Sequence, residues 1–387
     1  MLILSQFSVG FNGMPLAEGH PVCYNISDNP FWRIFMKNIN ARQLAMSYTG
    51  VFLGAGFVSG QELWQFFACF GPIGLLGFLG TAALFFYVNY ANLRLIQVTG
   101  VEDMGRLMTW GEGNKLRSVV TFMQCLLLFG VTIIMIAGAA SLLNQLLGVP
   151  AWIAGLGFTL LVSLIALLGL QGLVAVFSML VPATTVVAVI LAATALVRGD
   201  FQFAPPNGSV SPLMPNWIVG FITYAAYNLF GTISVLVPTA KLMEGEKTVR
   251  RGLGLGSGLL ILLAWSMIAA MAVFPATGLT ELPMAQLAGE LHPVLEAGYG
   301  ILMGMGMFSA CLAAITAVVN QVALRWRKAA VHHKVFTTVM LFAAYGLSLL
   351  GFGNLIGVVY PVFGYASIPF LICLVYNWRK VKKTGTL

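Results

Sequence analysis

Apolar runs of about 20 residues recur along this chain, separated by glycine, proline and charged residues. A run of about 20 apolar residues is long enough for an α-helix to cross the hydrocarbon core of a bilayer. The pattern therefore predicts ten transmembrane helices, with boundaries defined to within several residues. The predicted spans are about 44–70, 72–97, 118–147, 151–169, 173–197, 216–243, 253–275, 297–323, 335–351 and 355–377.

The first predicted span is interrupted by small and polar residues. Residues 50–64 read GVFLGAGFVSGQELW, so that four glycines, a serine and a carboxylate stand in an otherwise apolar helix. In hydrocarbon, such an interruption is tolerated where the freed backbone groups line a cavity of the protein. Discontinuous helices near the bilayer midplane are typical of substrate sites in secondary transporters. We therefore predict a helix break and a binding site here.

The sixth predicted span partly repeats this interruption, and Pro238 removes a backbone donor about a turn after it. The residues that break the apolar run are Asn228, Gly231, Thr232 and Ser234. Ten spans divide into repeats of five at about 44–197 and 216–377, which predicts an all-α membrane protein with an inverted repeat and discontinuous first and sixth helices. The alternative is that the small residues of the sixth helix only allow close helix packing.

Composition and charge agree with a membrane protein, since 59% of the 387 residues are hydrophobic, 8% are charged and the mean hydropathy is +0.90. The net charge of +8 does not indicate nucleic-acid binding, because no basic stripe with interleaved aromatic residues is present. With a cytoplasmic N-terminus, all 20 Lys and Arg residues except Arg198 fall in inside segments. The positive-inside rule therefore predicts a multi-pass protein of the cell (inner) membrane with both termini in the cytoplasm.

Three segments outside the spans carry separate predictions. Residues 1–35 lack a signal-peptide layout, and we interpret them as an extension that is disordered or misassigned, before a single membrane domain at 36–379. Residues 380–387 form a basic cytoplasmic tail. The external stretch 274–294 could hold a short interfacial helix after Thr280 that caps an outward vestibule, with a plain loop as the alternative.

The sequence indicates neither a cofactor nor a metal site. The five cysteines are scattered without CxxC spacing, which gives no disulfide framework and no metal-ligand pattern. An intramembrane enzyme would need a convergent set of catalytic groups, whereas the spans contain one deep carboxylate, Glu62, and no buried His or Lys. We therefore expect no enzymatic activity.

The segment GAGFVSGQELWQFFACFG at 54–71 strongly resembles the first-helix signature of the bacterial YkvI-like membrane proteins, and YNLFGTISVLVP at 227–238 resembles their sixth-helix segment. That family is similar to the amino acid, polyamine and organocation transporter superfamily, whose members share the leucine-transporter (LeuT) fold. The resemblance runs from about residue 36 to 377 and implies fold and transport class, not a substrate. The positions it implies for substrate binding are Gly54, Ala55, Gly56, Ser59, Gly60, Gln61, Tyr227, Asn228 and Gly231.

The chemistry at the break depends on Glu62. The half-helix that starts after Gly60 offers free N–H groups and a positive dipole end, which attract a carboxylate such as that of an amino acid. Glu62 is a functional candidate by its depth and could carry the coupling proton or meet a cation. Ser59 and Glu62 also match a capping box, a structural role compatible with the first. Because ionised Glu62 would repel a substrate carboxylate, proton coupling or an amine-bearing substrate is favoured.

Sodium coupling is the second choice for the driving ion. The eighth helix offers Ser309 and Thr316 on one face, but Leu312 and Ala313 between them bring no side-chain oxygen, which makes a closed oxygen cage harder to build. The alternative is that these hydroxyls bond carbonyls within their own helix. On the tenth helix, Tyr360 and Tyr365 could gate the cavity. The alternative is that these tyrosines anchor the helix at the membrane interface.

These observations predict a secondary active transporter, an ion-coupled symporter of an amino acid or amine that works by alternating access. Its partners would be this small-molecule substrate and the lipid bilayer, and the sequence leaves the oligomeric state open. The alternative is a ligand-sensing membrane receptor subunit without net transport.

Overall fold

The computed structural model describes residues 39–52, 54–101, 104–109, 114–167, 180–198, 211–240, 243, 245–273, 280–325 and 332–384. The α-helices, in chain order, are α1 Ala41–Phe52, α2 Ala55–Val58, α3 Gln61–Phe66, α4 Ile73–Thr99, α5 Met104–Leu107, α6 Asn114–Leu147, α7 Ala151–Leu167, α8 Leu180–Arg198, α9 Trp217–Ala240, α10 Gly245–Val273, α11 Pro283–Leu291, α12 Pro293–Arg325, α13 His333–Ser348 and α14 Phe352–Thr384. A short 3-10 helix, Ala68–Phe70, follows α3.

Each predicted span corresponds to helical structure in this part of the chain, which confirms the all-α membrane class. The first span is divided among α1, α2 and α3, and the other nine are α4, α6, α7, α8, α9, α10, α12, α13 and α14. Five of these helices, namely α4, α6, α10, α12 and α14, are long and apolar enough to cross a bilayer by themselves. Helix α7 and parts of α8 and α9 are shorter apolar segments. The first residues predicted for the fifth span lie outside the described residues.

Helix packing supports the predicted repeat. Helix α4 packs on α9 and α10 packs on α1, while α8 packs on α10 and α14 packs on α4. Replacing each helix by its counterpart five spans away converts the pair α4–α9 into the pair α10–α1. The same replacement converts the pair α8–α10 into the pair α14–α4. Helices α6 and α12, which are counterparts, pack on each other. Because five is odd, this two-fold arrangement relates halves that enter the membrane from opposite sides.

The predicted discontinuity of the sixth helix is wrong, because α9 is one continuous helix from Trp217 to Ala240. Its polar side chains bond within the helix: Asn228 Nδ2 donates to the Tyr224 carbonyl at 3.1 Å, and Thr232 Oγ1 donates to the Leu229 carbonyl at 3.3 Å. Side chains that return a hydrogen bond to the preceding turn need no backbone opening. Polar residues in this span therefore did not indicate a break.

Helix α1 packs tightly against α10 through two glycines. A Cβ atom at Gly252 would approach Leu44 Cγ to 2.8 Å, and one at Gly256 would collide with the Tyr48 ring. Two hydrogen bonds join the same helices, from Thr49 Oγ1 to the Gly256 carbonyl at 3.3 Å and between the hydroxyls of Tyr48 and Ser257 at 3.1 Å. Small residues spaced by four allow this close approach of two membrane helices.

The predicted terminal segments are only partly within the described residues. Residues 1–38 lie outside them, so the interpretation of 1–35 as an extension stays a prediction. At the other end, α14 continues to Thr384, and the first part of the predicted basic tail is therefore helical.

Candidate functional site

The discontinuity predicted for the first helix is present. Helix α1 ends at Phe52, α2 is a single turn from Ala55 to Val58, and α3 begins at Gln61. Gly60, between α2 and α3, has a φ of 83°, a left-handed conformation that glycine adopts without steric cost. The first span therefore breaks where its glycines are concentrated.

The carbonyl groups freed at this break bond to the protein itself. Ser59 Oγ donates to the Gly56 carbonyl at 2.9 Å, and the Tyr299 hydroxyl of α12 donates to the Val58 carbonyl at 2.5 Å. The backbone N–H of Met284 donates to the Ser59 carbonyl at 2.9 Å. These partners make the break compatible with burial in the membrane, where an unpaired backbone group is costly.

The predicted capping box is wrong. The N-cap of α3 is Gly60, and no side chain caps it. Ser59 Oγ accepts a hydrogen bond from the Gln61 N–H at 3.3 Å, two residues along the chain rather than three. The left-handed turn at Gly60 directs Glu62 back towards α2, where a Cβ atom at Gly56 would overlap its carboxyl group. Glycine at position 56 therefore leaves the space that the Glu62 carboxyl occupies.

The Glu62 carboxyl is buried among tyrosines, with 5% of the residue exposed. The hydroxyls of Tyr224 and Tyr227 on α9 face it, and Tyr360 of α14 is close enough to experience its charge. The rings of Tyr227 and Tyr360 stack at a centroid distance of 4.3 Å. Among the described residues, neither the Tyr224 nor the Tyr227 hydroxyl has a hydrogen bond of normal geometry. Both hydroxyls therefore lie where each can donate to the carboxyl.

No basic residue of the described part of the chain forms an ion pair with Glu62. The ion pair that the described residues do form joins Arg94 and Glu246 at 3.5 Å, away from Glu62. A charged carboxylate in a low-dielectric environment is very costly unless it is paired. The cluster of Glu62 with Tyr224, Tyr227 and Tyr360 therefore needs a proton or a bound cation to be neutral. We call these four residues the acid–tyrosine cluster.

The predicted substrate-binding residues are only partly brought together. Gly56 and Tyr227 join Glu62, whereas Gly54 is exposed and Gly231 faces Leu127. The remaining positions lie around the cluster: Ser59 and Gly60 form the turn before α3, Gln61 faces Gly353, and Asn228 bonds the Tyr224 carbonyl. The side chain of Ala55 lies outside the described structure.

The residues predicted for sodium lie on α12. Ser309 is buried. Thr316 Oγ1 donates to the Leu312 carbonyl at 2.7 Å. This bond within α12 is the alternative role given for the Thr316 hydroxyl above. Two of the carbonyls at the break, those of Val58 and Ser59, already accept hydrogen bonds. A sodium site built from these carbonyls and hydroxyls therefore needs rearrangement, and it stays a prediction.

Tyr224 and Tyr299 are site residues that the sequence did not predict, and Tyr360 is one whose role the sequence leaves open. Tyr224 and Tyr227 are three residues apart, a spacing that places two side chains on one helix face and could have indicated the pair. Tyr360 is 4% exposed and lies in the cluster, while Tyr365 is 44% exposed and its hydroxyl bonds the Leu213 carbonyl at 2.7 Å. Nothing local in the sequence links Tyr299 to the break, because their contact depends on the packing of α12.

The short helix predicted after Thr280 is present as α11, and it covers the break. A Cβ atom at Gly60 would lie 2.9 Å from Met284 Cγ and 3.4 Å from Pro283 Cβ. Residue Glu281, just before α11, accepts hydrogen bonds from the Ser141 hydroxyl of α6 and from the Gly353 N–H of α14. Helix α11 therefore lies as a lid over one side of the break.

Comparison with known proteins identifies similar membrane proteins. No protein-family model matches the chain. It is 27% identical over 336 residues to the uncharacterized membrane protein YkvI of Bacillus subtilis (strain 168), covering 86% of this chain and 94% of YkvI. It is also 24% identical over 341 residues to the uncharacterized protein YyaD of the same organism, covering 84% of this chain and 93% of YyaD.

Solved structures show the same fold at low sequence identity. A histidine-to-alanine mutant of a manganese transporter from Eremococcus coleocola matches with a TM-score of 0.52 and 13% identity, covering 92% of this chain and 85% of that one. The same transporter in complex with an aromatic bis-isothiourea substituted compound matches with a TM-score of 0.51 and 13% identity, covering 96% and 86%. The comparisons confirm the resemblance to the YkvI-like membrane proteins and show that this all-α membrane chain has the fold of these solved transporters.

Proposed function

We propose that this protein is a secondary active transporter of a small amine-bearing solute, either an amine or an amino acid, and that Glu62 carries the coupling proton. The observation that carries the proposal is the buried Glu62 carboxyl at a helix break, without a basic partner in the described structure and beside two tyrosine hydroxyls that can donate to it. An ionisable residue in such a position is a functional candidate, because burying its charge in the membrane is energetically costly.

Alternating access is supported by the surroundings of the break. On one side, α11 is held by the bond from the Met284 N–H to the Ser59 carbonyl and by the contacts of Glu281. On the other side, the described residues between α1 and α3 form a single helical turn, α2. A site that α11 covers on one side, and that α1 borders on the other, can open to one compartment at a time.

An amine fits the acid–tyrosine cluster better than a carboxylate does. A substrate ammonium would neutralise Glu62, and aromatic rings contribute cation–π attraction to such groups. A substrate carboxylate alone would add a second negative charge beside Glu62. An amino acid is still compatible if its ammonium meets Glu62 and its carboxylate meets backbone N–H groups at the start of α3.

A divalent metal is a poorer candidate. The solved structures are of manganese transporters, and manganese takes several hard oxygen or nitrogen ligands. In the part of the chain that the structure describes, no group of three or more His, Cys, Asp and Glu residues could hold a metal ion. One carboxylate neutralises one positive charge, which suits a proton or an ammonium group.

The test is uptake by proteoliposomes containing the full chain, after a thermal-shift screen of the standard amino acids and linear amines has chosen the probe. Glu62→Gln mimics the protonated carboxyl and keeps an oxygen that can accept from a substrate ammonium, so we expect this variant to retain counterflow at equal pH, with weaker binding, and to lose uptake driven by an imposed pH gradient. Glu290→Gln makes the same change on the exposed surface of α11 and serves as the control.

Gradient-driven uptake by Glu62→Gln at the wild-type rate would refute the coupling role and return sodium, through Ser309 and Thr316, to first place. Saturable binding of the probe without uptake or counterflow by the wild type would instead favour the receptor subunit over the transporter. Both outcomes are read from the same preparations.

A further inference from the structure

A groove opens on the protein surface between α6, α12 and α13. Its volume is about 390 Å³, which is within the range of about 300–1,000 Å³ that is typical of ligand pockets. Phe122 is 60% exposed and Leu126 is 39% exposed, so the groove is open along α6. Its apolar lining residues are Phe122, Leu126 and Phe129 of α6, Val318 and Val322 of α12, and Met340 of α13.

The groove lies at membrane depth. Its lining residues on α6 run from Thr121 to Phe129, about 12 Å along the helix axis. Helices α6 and α12 are both long and apolar enough to cross a bilayer. The Thr121 hydroxyl donates to the Arg117 carbonyl of the same helix at 3.2 Å, which satisfies a polar group of the lining. An apolar groove that is open to hydrocarbon suits an acyl chain.

One end of the groove lies at the same membrane surface on all three helices. A Cβ atom at Gly300 would meet Leu146 and one at Gly304 would meet Leu142, so α12 runs antiparallel to α6. The end of α12 is therefore on the same side of the membrane as the start of α6. Residues 326–332 connect α12 to α13. Because they reach at most about 25 Å when extended, too short to cross a bilayer, α13 starts on that side as well.

Two of the helices carry a basic residue at this end, on the face that lines the groove. Lys115 is exposed and lies seven residues before Phe122 on α6. Arg325, the last residue of α12, lies three residues after Val322. Residues that are three, four or seven apart share a face of an α-helix. The groove therefore has an apolar body and a positively charged end.

Acidic residues are rare around this charged end. The sequence from Arg325 to Lys334 contains four basic residues and no acidic one, and Lys334 is exposed at the start of α13. Helices α6 and α13 contain no Asp or Glu, and the carboxylate of α12, Glu296, is in its first turn at the opposite end. Glu112, before α6, is the acidic residue closest to Lys115 in the sequence. The charge therefore favours a ligand with an anionic head and an apolar chain.

We propose that this groove binds an anionic phospholipid of the bilayer, with one acyl chain along Phe122 and Phe129 and the phosphate at Lys115 and Arg325. Basic pockets between transmembrane helices recognise anionic head groups, and each nearby Lys or Arg strengthens the binding. Since every lipid offers equally apolar chains, the head-group charge supplies the preference among lipids. The inference goes beyond the proposed function, because it needs neither a substrate nor Glu62.

The experiment is native mass spectrometry of the purified full chain with equal amounts of phosphatidylglycerol and phosphatidylcholine that carry the same acyl chains. We expect the first lipid bound by the wild type to be phosphatidylglycerol. Lys115→Gln should lower the affinity for this lipid about five-fold, since it removes one charge near the membrane surface. Cys125→Trp places a ring in the groove lining and should lower the occupancy of the first lipid.

Matched controls make the same changes on α14. Lys380→Gln removes an exposed charge there, and Val358→Trp adds a ring at a position that is 53% exposed. Both should bind phosphatidylglycerol as the wild type does, and so should Glu62→Gln.

Equal binding of the two lipids by the wild type, or wild-type affinity in both Lys115→Gln and Cys125→Trp, would overturn the proposal. A wild-type dimer that Cys125→Trp converts to a monomer, with lipid binding unchanged, would also overturn it and identify a second copy of the chain as the occupant. None of these results bears on transport through Glu62.

Discussion

At the scale of single residues, the contact between Gly56 and Glu62 is the most sensitive point of the candidate site. The Glu62 carboxyl occupies the space in which a side chain at position 56 would lie. The sequence pointed to both residues, but it could not tell that they touch, because their contact depends on the left-handed turn at Gly60. The family resemblance implied that Gly56 binds substrate, whereas the neighbour found there is a carboxylate of the same chain.

We predict that Gly56→Leu abolishes substrate binding while the protein still inserts in the membrane. The branched side chain would displace the Glu62 carboxyl from the tyrosines, since core positions do not absorb added volume without shifts. Binding is measured by thermal shift with the probe chosen for the wild type, and insertion by membrane fractionation. Gly254→Leu is the control, because a Cβ atom there has nothing within 4 Å. Normal binding by the Gly56 variant would place the site elsewhere.

At the scale of secondary-structure elements, the difference between α2–α3 and α9 explains what the sequence could predict. Both spans contain glycine and hydroxyl or amide side chains, but only the first helix breaks. In α9, Asn228 and Thr232 return hydrogen bonds to their own helix, whereas the first helix has Gly60 at a positive φ and partners from other elements for its carbonyls. Sequence pattern reveals where a helix can open; tertiary partners decide whether it does.

Tyr299 is the clearest of these partners, and we predict a stability effect on its removal. Tyr299→Phe deletes the hydroxyl that bonds the buried Val58 carbonyl at 2.5 Å. An unsatisfied buried carbonyl costs about 1–3 kcal/mol, so the free energy of unfolding should fall by about that amount. Tyr376→Phe, on the exposed face of α14, is the matched control. Equal Tm values for the two variants would mean that the Val58 carbonyl finds another partner.

At the scale of the whole molecule, the number and order of the spans followed from the apolar runs and the glycine, proline and charged residues between them, and so did the all-α class. The packing of counterpart helices agrees with the repeat that the count of ten predicted. The acid–tyrosine cluster could not be predicted to the same degree. Its members come from α3, α9 and α14, and sequence separation of this kind carries no local pattern.

The orientation in the membrane remains a prediction from the distribution of Lys and Arg. We expect a cysteine replacing exposed His332, between α12 and α13, to be cytoplasmic and one replacing Glu290 on the lid to be external. A membrane-impermeant maleimide applied to intact cells should label Glu290→Cys but label His332→Cys only after lysis, with the parent protein as background. The reverse pattern would invert the topology.

The close packing of α1 on α10 has a mechanical consequence. Leu44 and Tyr48 fasten the first half-helix to α10, while Tyr299 of α12 holds Val58 just beyond it. Any displacement of α10 with α1 relative to α12 must therefore be absorbed between Phe52 and Val58, where the described residues form one short helical turn, α2. This stretch is the hinge between α1, which is held to α10, and the turn that Tyr299 holds to α12. Its stiffness limits how far α1 moves while α3 and the lid, α11, stay in place.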